Sequence, residues 1–478
     1  MYNSISRIFA LHKPRIDLRG IVLAMSLLWL VMAFSVTPVS AVDAANPFGV
    51  IEGFWLPEAV CELGAGWERI IFDWAQHQPT GPEDWHTLNV DDRWLQAAQA
   101  CNREVVAIIK HTPDWATEGL PGPGVPSGLY LPVEDPGNYW ANFMRRTAEY
   151  YASRGVSRFI IWNEPDIDPG VYGFEFEGSL DDYFQMLKVA YLALRQGNPE
   201  AEVLLAGTTY WHDINEGNRL YLDRLLERIF ADPDAASHEY YFHKVSLHIY
   251  FRTETVYDIV RLTRDVLDRY GLGDKGIWIN EMNAAPTADP LWPVVRPQFQ
   301  LDLDQQAAFL VQATALGLAA DVERMAVYKF YDWNLPPGDE TFGIIRADQS
   351  RRPAYDSWAM VIREMSTVES ADLARNDLLE IVRLNRQDGS VLWVAWARTE
   401  SAVSLAVAGA DTLTFFDHYA QPLQAESSSG GYRIVLSGAR CNPVDQCAVG
   451  GDPWLWVTAP DGNVTQITGG ETTDFQWE

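Results

Sequence analysis

Between residues 46 and 367 the chain switches eight times between two hydrophobic periods. Short runs of apolar, β-branched and aromatic residues alternate with longer stretches whose apolar positions recur every three to four residues. The short runs read as strands buried on both faces of a parallel sheet, and the longer stretches as the helices joining them. Strands are expected at 48–55, 69–74, 105–110, 159–162, 203–206, 245–250, 277–283 and 325–330. Ser179 and Asp182 have the spacing of a capping box, and Tyr183, Leu187, Ala190 and Leu194 then form one apolar stripe. Right-handed crossovers close such a series into a (β/α)8 TIM barrel, an α/β fold spanning 46–367. Beyond it the runs shorten and turn pairs such as Asp388-Gly389 and Gly430-Gly431 separate them. A smaller all-β, sandwich-like C-terminal domain is expected at 376–478.

The fourth strand stops abruptly in Asn163-Glu164-Pro165-Asp166. Pro165 ends the sheet and is expected to hold Glu164 extended. A carboxylate is thereby placed past the carboxyl end of a buried strand, where parallel α/β folds bind ligands. The seventh run, IWINEMN, closes in the same way with Asn280, Glu281 and Asn283, and Glu281 lies 117 positions after Glu164 (281 − 164). Two carboxylates facing each other across a barrel mouth are the machinery of glycoside hydrolysis. One strand-end glutamate by itself is as readily a loop ion-pair partner.

The chain resembles the retaining glycoside hydrolases of clan A, with family 39 closest and family 5 as the alternative. The resemblance covers residues 46–365. It rests on Asn163-Glu164-Pro165, on Glu281 closing the seventh strand, on Arg69-x-x-x-Asp73-Trp74 and on the stretch 343–355. It implies Glu164 as acid/base, Glu281 as nucleophile and Asn163 as donor to a sugar 2-hydroxyl. Arg69 and Tyr250 are expected to keep Glu281 ionised. Asp73 either binds a distal hydroxyl or holds Arg69, and Trp74 is carried over as a further substrate contact. His248 either lines the cleft or is a satisfied rim histidine, and His111 has the same standing. Trp333, after the eighth strand, is the candidate sugar-stacking platform. In the long Gly/Pro loop after the third strand, Trp115 and Tyr130 either contact substrate or anchor the loop.

The resemblance implies an O-glycosyl hydrolase needing no cofactor and no metal, acting on a carbohydrate. One alternative is a catalytically inactive barrel that binds glycan; retention of both glutamates counts against it. Another is a metal-dependent hydrolase using His111 and His248; the lack of His-x-His after the first strand counts against that.

At 478 residues and 47% hydrophobic content the chain can bury a large core. Its formal charge of −29 disfavours nucleic acid and anionic membrane as partners. Arg7, Lys13, Arg15 and Arg19 precede the apolar run 21–36, and Val39-Ser40-Ala41 follows. Residues 1–41 therefore read as a signal peptide of a secreted or extracytoplasmic protein, with an uncleaved membrane anchor as the alternative. They carry four Lys/Arg and one Asp, so their removal would leave −32 (−29 − 3). In an exported chain Cys441 and Cys447 are expected to form a local disulfide, and Cys61 and Cys101 are either a second pair or buried thiols.

Overall fold

Eight parallel strands close into a barrel in sequence order. They are β1 (Phe48–Ile51), β2 (Trp67–Asp73), β3 (Glu104–Lys110), β4 (Arg158–Asn163), β5 (Glu202–Thr208), β6 (Lys244–Tyr250), β7 (Gly276–Asn283) and β8 (Arg324–Val327). Phe48 pairs with Met325, sealing β1 to β8. This computed structural model describes residues 46–333, 339–408, 413–468 and 471–478; the expected signal peptide lies outside the described residues.

The lumen is filled by side chains. Ile51, Trp67, Val106, Ile108, Ile160, Leu204, Trp278 and Ala326 form one buried cluster inside the strands. At the amino end of the strands, Arg158 bridges Glu104 and Glu202, and Arg324 reaches Glu104 at 2.8 Å. That end is tied together by charge, and the opposite end carries the loops. Outward-facing residues pack on the surrounding helices, as alternation along a strand requires.

Two strands are shorter than the apolar runs suggest. β1 ends at Ile51 because Gly53–Trp55 turn into a short 3-10 helix, and β8 ends at Val327 instead of residue 330. The capping box at Ser179 and Asp182 forms as expected and starts the helix Leu180–Gly197.

The all-β region begins with β9 (Val368–Arg375), ahead of the expected 376. β9 is an edge strand of polar sequence with little burial, so no alternation marks it. It is followed by β10 (Leu379–Arg386), β11 (Val391–Ala397), β12 (Val403–Ala408), β13 (Phe415–Phe416), β14 (Pro422–Leu423), β15 (Glu426–Ser428), β16 (Gly431–Leu436), β17 (Trp454–Thr458), β18 (Asn463–Thr468) and β19 (Glu471–Thr473). These form a six-stranded sheet, β14-β13-β17-β11-β10-β9, and a five-stranded sheet, β15-β16-β12-β18-β19. Every residue of β11 is buried. Its alternate residues Trp393, Ala395 and Ala397 enter the core between the two sheets, with Leu405 and Ile434. Leu392, Val394 and Trp396 instead enter the barrel's own core. The helix Leu303–Ala319 is correspondingly buried from Gln305 to Gly317, as a helix covered on all sides must be. Gln312 fastens it, donating to Gly451 O at 2.8 Å and accepting from Gly450 N at 3.1 Å. Both cysteine pairs are disulfides, Cys61–Cys101 and Cys441–Cys447.

Candidate active site

The carboxyl ends of the strands are strained. Glu52, His111, Trp162, Glu164, Tyr210 and Phe251 all have φ between +41° and +73°. Such backbone gathers where the surrounding structure imposes it for a ligand or reaction. Glu164 thus departs from the expected extended conformation: its φ is +41°. Its N–H donates to Gly207 O on β5 at 3.0 Å, and this long-range bond overrides the local preference set by Pro165.

Glu164 and Glu281 do converge. One oxygen of each and one ring nitrogen of His248 all lie within 4.8 Å of one another. His248 Nδ1 is 2.6 Å from Glu164 Oε1 and 3.5 Å from Glu281 Oε2. The ring is buried on β6, and its Nε2 faces Gly207, where a Cβ would stand 2.0 Å away.

Glu281 is nearly buried on β7, ion-paired to Arg69 of β2 and accepting a hydrogen bond from the Tyr250 hydroxyl. Burial opposes its ionisation. The charges of Arg69 and His248 and the Tyr250 hydrogen bond outweigh that and hold Glu281 below the usual glutamate range. For His248, burial opposes protonation, but the Glu281 charge and the Glu164 contact raise it above its ordinary value. Asn163 is buried at the end of β4 beside Glu164. Asp166 accepts from Thr209 N and Oγ1, both at 2.8 Å, pinning the β4 loop to the β5 loop. Burial pushes Asp166 up to about 6, against those hydrogen bonds and with the Glu164 charge.

Other expected site residues lie elsewhere. Asp73 does not hold Arg69; it accepts from Gln76 N at 3.0 Å and pairs with His111 Nδ1 at 2.8 Å. By capping the following turn, it makes Trp74 the first residue of a helix and sends that side chain outward. Trp74 is fully buried against Trp140 and Phe143, with Nε1–H on Gln78 Oε1 at 2.7 Å, so it is a core residue and not a substrate contact. His111 stays with Asp73 and is not among the residues grouped around Glu164 and Glu281. Trp115 and Tyr130 anchor their loop, through Gln78 O at 2.6 Å and Asp182 Oδ1 at 2.7 Å. Trp333 is two-fifths exposed and packs on Trp55.

Four charged residues that no sequence motif marks lie at the same end of the barrel. Lys110 of β3 pairs with Glu175 of the β4 loop, and Lys329 after β8 faces Glu52 after β1. Tyr328, beside Lys329, packs edge-on against Tyr250 at 6.0 Å. Among the described residues Glu164, His248 and Glu281 are the group close enough to share a cation. On Glu281 the Arg69 guanidinium and the Tyr250 hydroxyl are already in place.

No protein-family model and no curated protein matches the sequence. Solved structures do match the architecture. A family 39 glycoside hydrolase from the gut symbiont Bacteroides cellulosilyticus WH2 superposes with a TM-score of 0.64 at 15% identity, over 86% of this chain and 81% of that one. A monomeric β-xylosidase from Caulobacter crescentus CB15 gives 0.56 at 14% identity, over 88% and 97%. The catalytic domain of GH30 xylanase C from Talaromyces cellulolyticus gives 0.54 at 13%, over 88% and 96%. The chain has the fold of these glycoside hydrolases. The match extends over most of the chain, so barrel and β-sheets are shared together. At such identities the likeness is one of fold, and the chemistry rests on the residues above.

Proposed function

We propose that the protein is a secreted, retaining β-glycosidase that hydrolyses O-glycosidic bonds of an oligo- or polysaccharide by double displacement. The observation that carries this reading is the approach of Glu164 and Glu281 to within 4.8 Å at the ends of β4 and β7. Retaining enzymes hold their carboxyl groups about 5–5.5 Å apart, and inverting enzymes need roughly 6.5–9.5 Å to admit a water.

The environments of the two groups divide the work. Glu281, kept ionised by Arg69 and Tyr250, attacks the anomeric carbon. Glu164 gives its proton to the glycosidic oxygen, the C–O bond breaks and the aglycone leaves as an alcohol. Once esterified, Glu281 has lost its charge. Glu164, now a carboxylate, takes a proton from water, which attacks the anomeric carbon and frees Glu281. The product keeps the β configuration. His248 contacts both carboxyl groups and orients Glu164 for the two proton transfers.

Azide rescue tests the assignment. Glu281→Gly should be nearly inactive, and azide should restore cleavage of an activated aryl β-glycoside to give the α-glycosyl azide. Glu164→Gly with azide should give the β-glycosyl azide. Wild-type enzyme should first release β-sugar, seen by NMR of the anomeric proton; release of α-sugar would overturn retention. Binding without turnover on a broad glycoside panel would instead support a glycan-binding barrel. Export is supported by the N-terminal pattern and by two disulfides. N-terminal sequencing of exported protein should find a start after Ala41.

A further inference from the structure

The ends of β1 and β8 carry charged and aromatic side chains that this mechanism does not use. Glu52 directly follows β1 and Lys329 lies two residues past β8. Their side chains are only 18% and 11% exposed, yet Nζ stands 3.6 Å from Oε2, beyond hydrogen-bond distance. That buried Oε2 has no hydrogen-bond partner among the described residues. Two desolvated charges so loosely joined are a poor structural element, because only good geometry and further hydrogen bonds offset their desolvation. Glu52 also has a φ of +61°.

The pair adjoins the catalytic centre. Glu52 N–H donates to Arg69 O at 3.3 Å, and Arg69 is the ion-pair partner of Glu281. Tyr328, next to Lys329, has its phenol pushed up by burial and then by the charges of Glu281 and Glu52. Three residues after Glu52 comes Trp55, and four after Lys329 comes Trp333. Their ring centroids are 4.3 Å apart, tilted by 39°, and both remain over one-third exposed. Trp55 is backed by Phe54 and Trp94, which stack at 4.1 Å. Rigid aromatic faces beside a few polar groups make a small-ligand site.

Topology gives the site its side of the reaction. β8 lies four strands from β4 whichever way the barrel is followed. The departing aglycone must lie against Glu164 on β4, so the β1–β8 side receives the glycone.

We propose that Glu52, Lys329, Trp55 and Trp333 form a glycone subsite for a neutral pyranose with two adjacent free hydroxyls. One hydroxyl donates to Glu52 and the neighbouring oxygen accepts from Lys329, supplying the hydrogen bonds that the ion pair itself lacks. The sugar's C–H face rests on the indoles. The pair is neutral as a whole and offers no net positive charge to a carboxylate, so an acidic sugar is disfavoured. This rests on the glycosidase reading.

The experiment uses aryl β-glycosides that each lack one ring hydroxyl. With wild-type enzyme, loss of either of two adjacent hydroxyls should lower kcat/KM about 10- to 100-fold, the range for hydrogen bonds to charged groups. In Glu52→Ala one of these losses should nearly vanish, and in Lys329→Met the other, while the remaining positions keep their wild-type ratios. A merely structural pair would lower thermal stability and activity on all glycosides alike, leaving every ratio unchanged; that result overturns the subsite. Trp55→Ala should raise KM more than it lowers kcat. If wild-type protein turns over no glycoside of the panel, the glycosidase reading falls, and calorimetric binding of the parent glycosides judges the subsite. Binding at least about tenfold weaker in Glu52→Ala sustains it, and no difference from wild type overturns it.

Discussion

His248 occupies the space that a side chain on Gly207 would need: the imidazole Nε2 stands 2.0 Å from where that Cβ would be. The same glycine's carbonyl accepts the Glu164 N–H. One small residue on β5 therefore lets a ring from β6 reach a carboxylate on β4.

Gly207→Ala should displace the imidazole and cost about 1–3 kcal/mol of stability through overpacking. Because His248 orients Glu164, kcat should fall by more than the stability loss explains, with at least a tenfold drop at a temperature where the variant is fully folded (about 1.4 kcal/mol per factor of ten). Steady-state kinetics and thermal unfolding on one preparation check this. A variant destabilised but kinetically unchanged would remove the orienting role of His248.

Arg69→Met should move the acid limb of the pH–rate profile upward. Glu281 is held below its ordinary value of 4.5 by Arg69 first among its neighbours, so the wild-type limb should lie below that value. Without the guanidinium, burial dominates and the limb should climb above it. The linkage has the matching sign. A depressed carboxylate contributes stability above its unfolded value, and that contribution is lost as pH falls through the folded value. Wild-type protein should thus exceed the variant in thermal midpoint most clearly above pH 4.5. Profiles of kcat/KM on an aryl glycoside and unfolding scans measure both.

A chain ending at Thr367 should be largely insoluble. Leu392, Val394 and Trp396 share the barrel's core, and truncation would uncover that apolar face. An independent binding module would instead leave a soluble barrel with undiminished activity on small glycosides. Soluble yield and thermal midpoint of the two chains decide between these outcomes.

The barrel and its two glutamates are legible because strand, helix and terminal carboxylate each leave a local mark. IIWNEP and IWINE run from a buried strand straight into an acid. Arg69 and Tyr250 are legible by the same placement. What is hidden depends on the path of the backbone past each strand. FGVIEGFW and MAVYKF read as unbroken strands, so Glu52, Tyr328 and Lys329 look like strand interior. In the structure both strands stop short, and these residues lie past their carboxyl ends. Asp73-Trp74 fails in the opposite sense. The motif is present, but the cap made by Asp73 turns the indole into the core. Positive φ at Glu164 is set by a bond to β5, distant in sequence, and no local pattern announces it.

The two-sided burial of the helix Leu303–Ala319 also fixes an order of events during synthesis. This helix follows the strand that carries Glu281, yet its outer wall is made by strands that begin only at Val368. A nascent barrel has all eight strands before it has that wall, and until then exposes apolar surface to solvent. The protein is expected to be the client of a holding chaperone late in translation and to acquire protease resistance in one step, after its last strands are released.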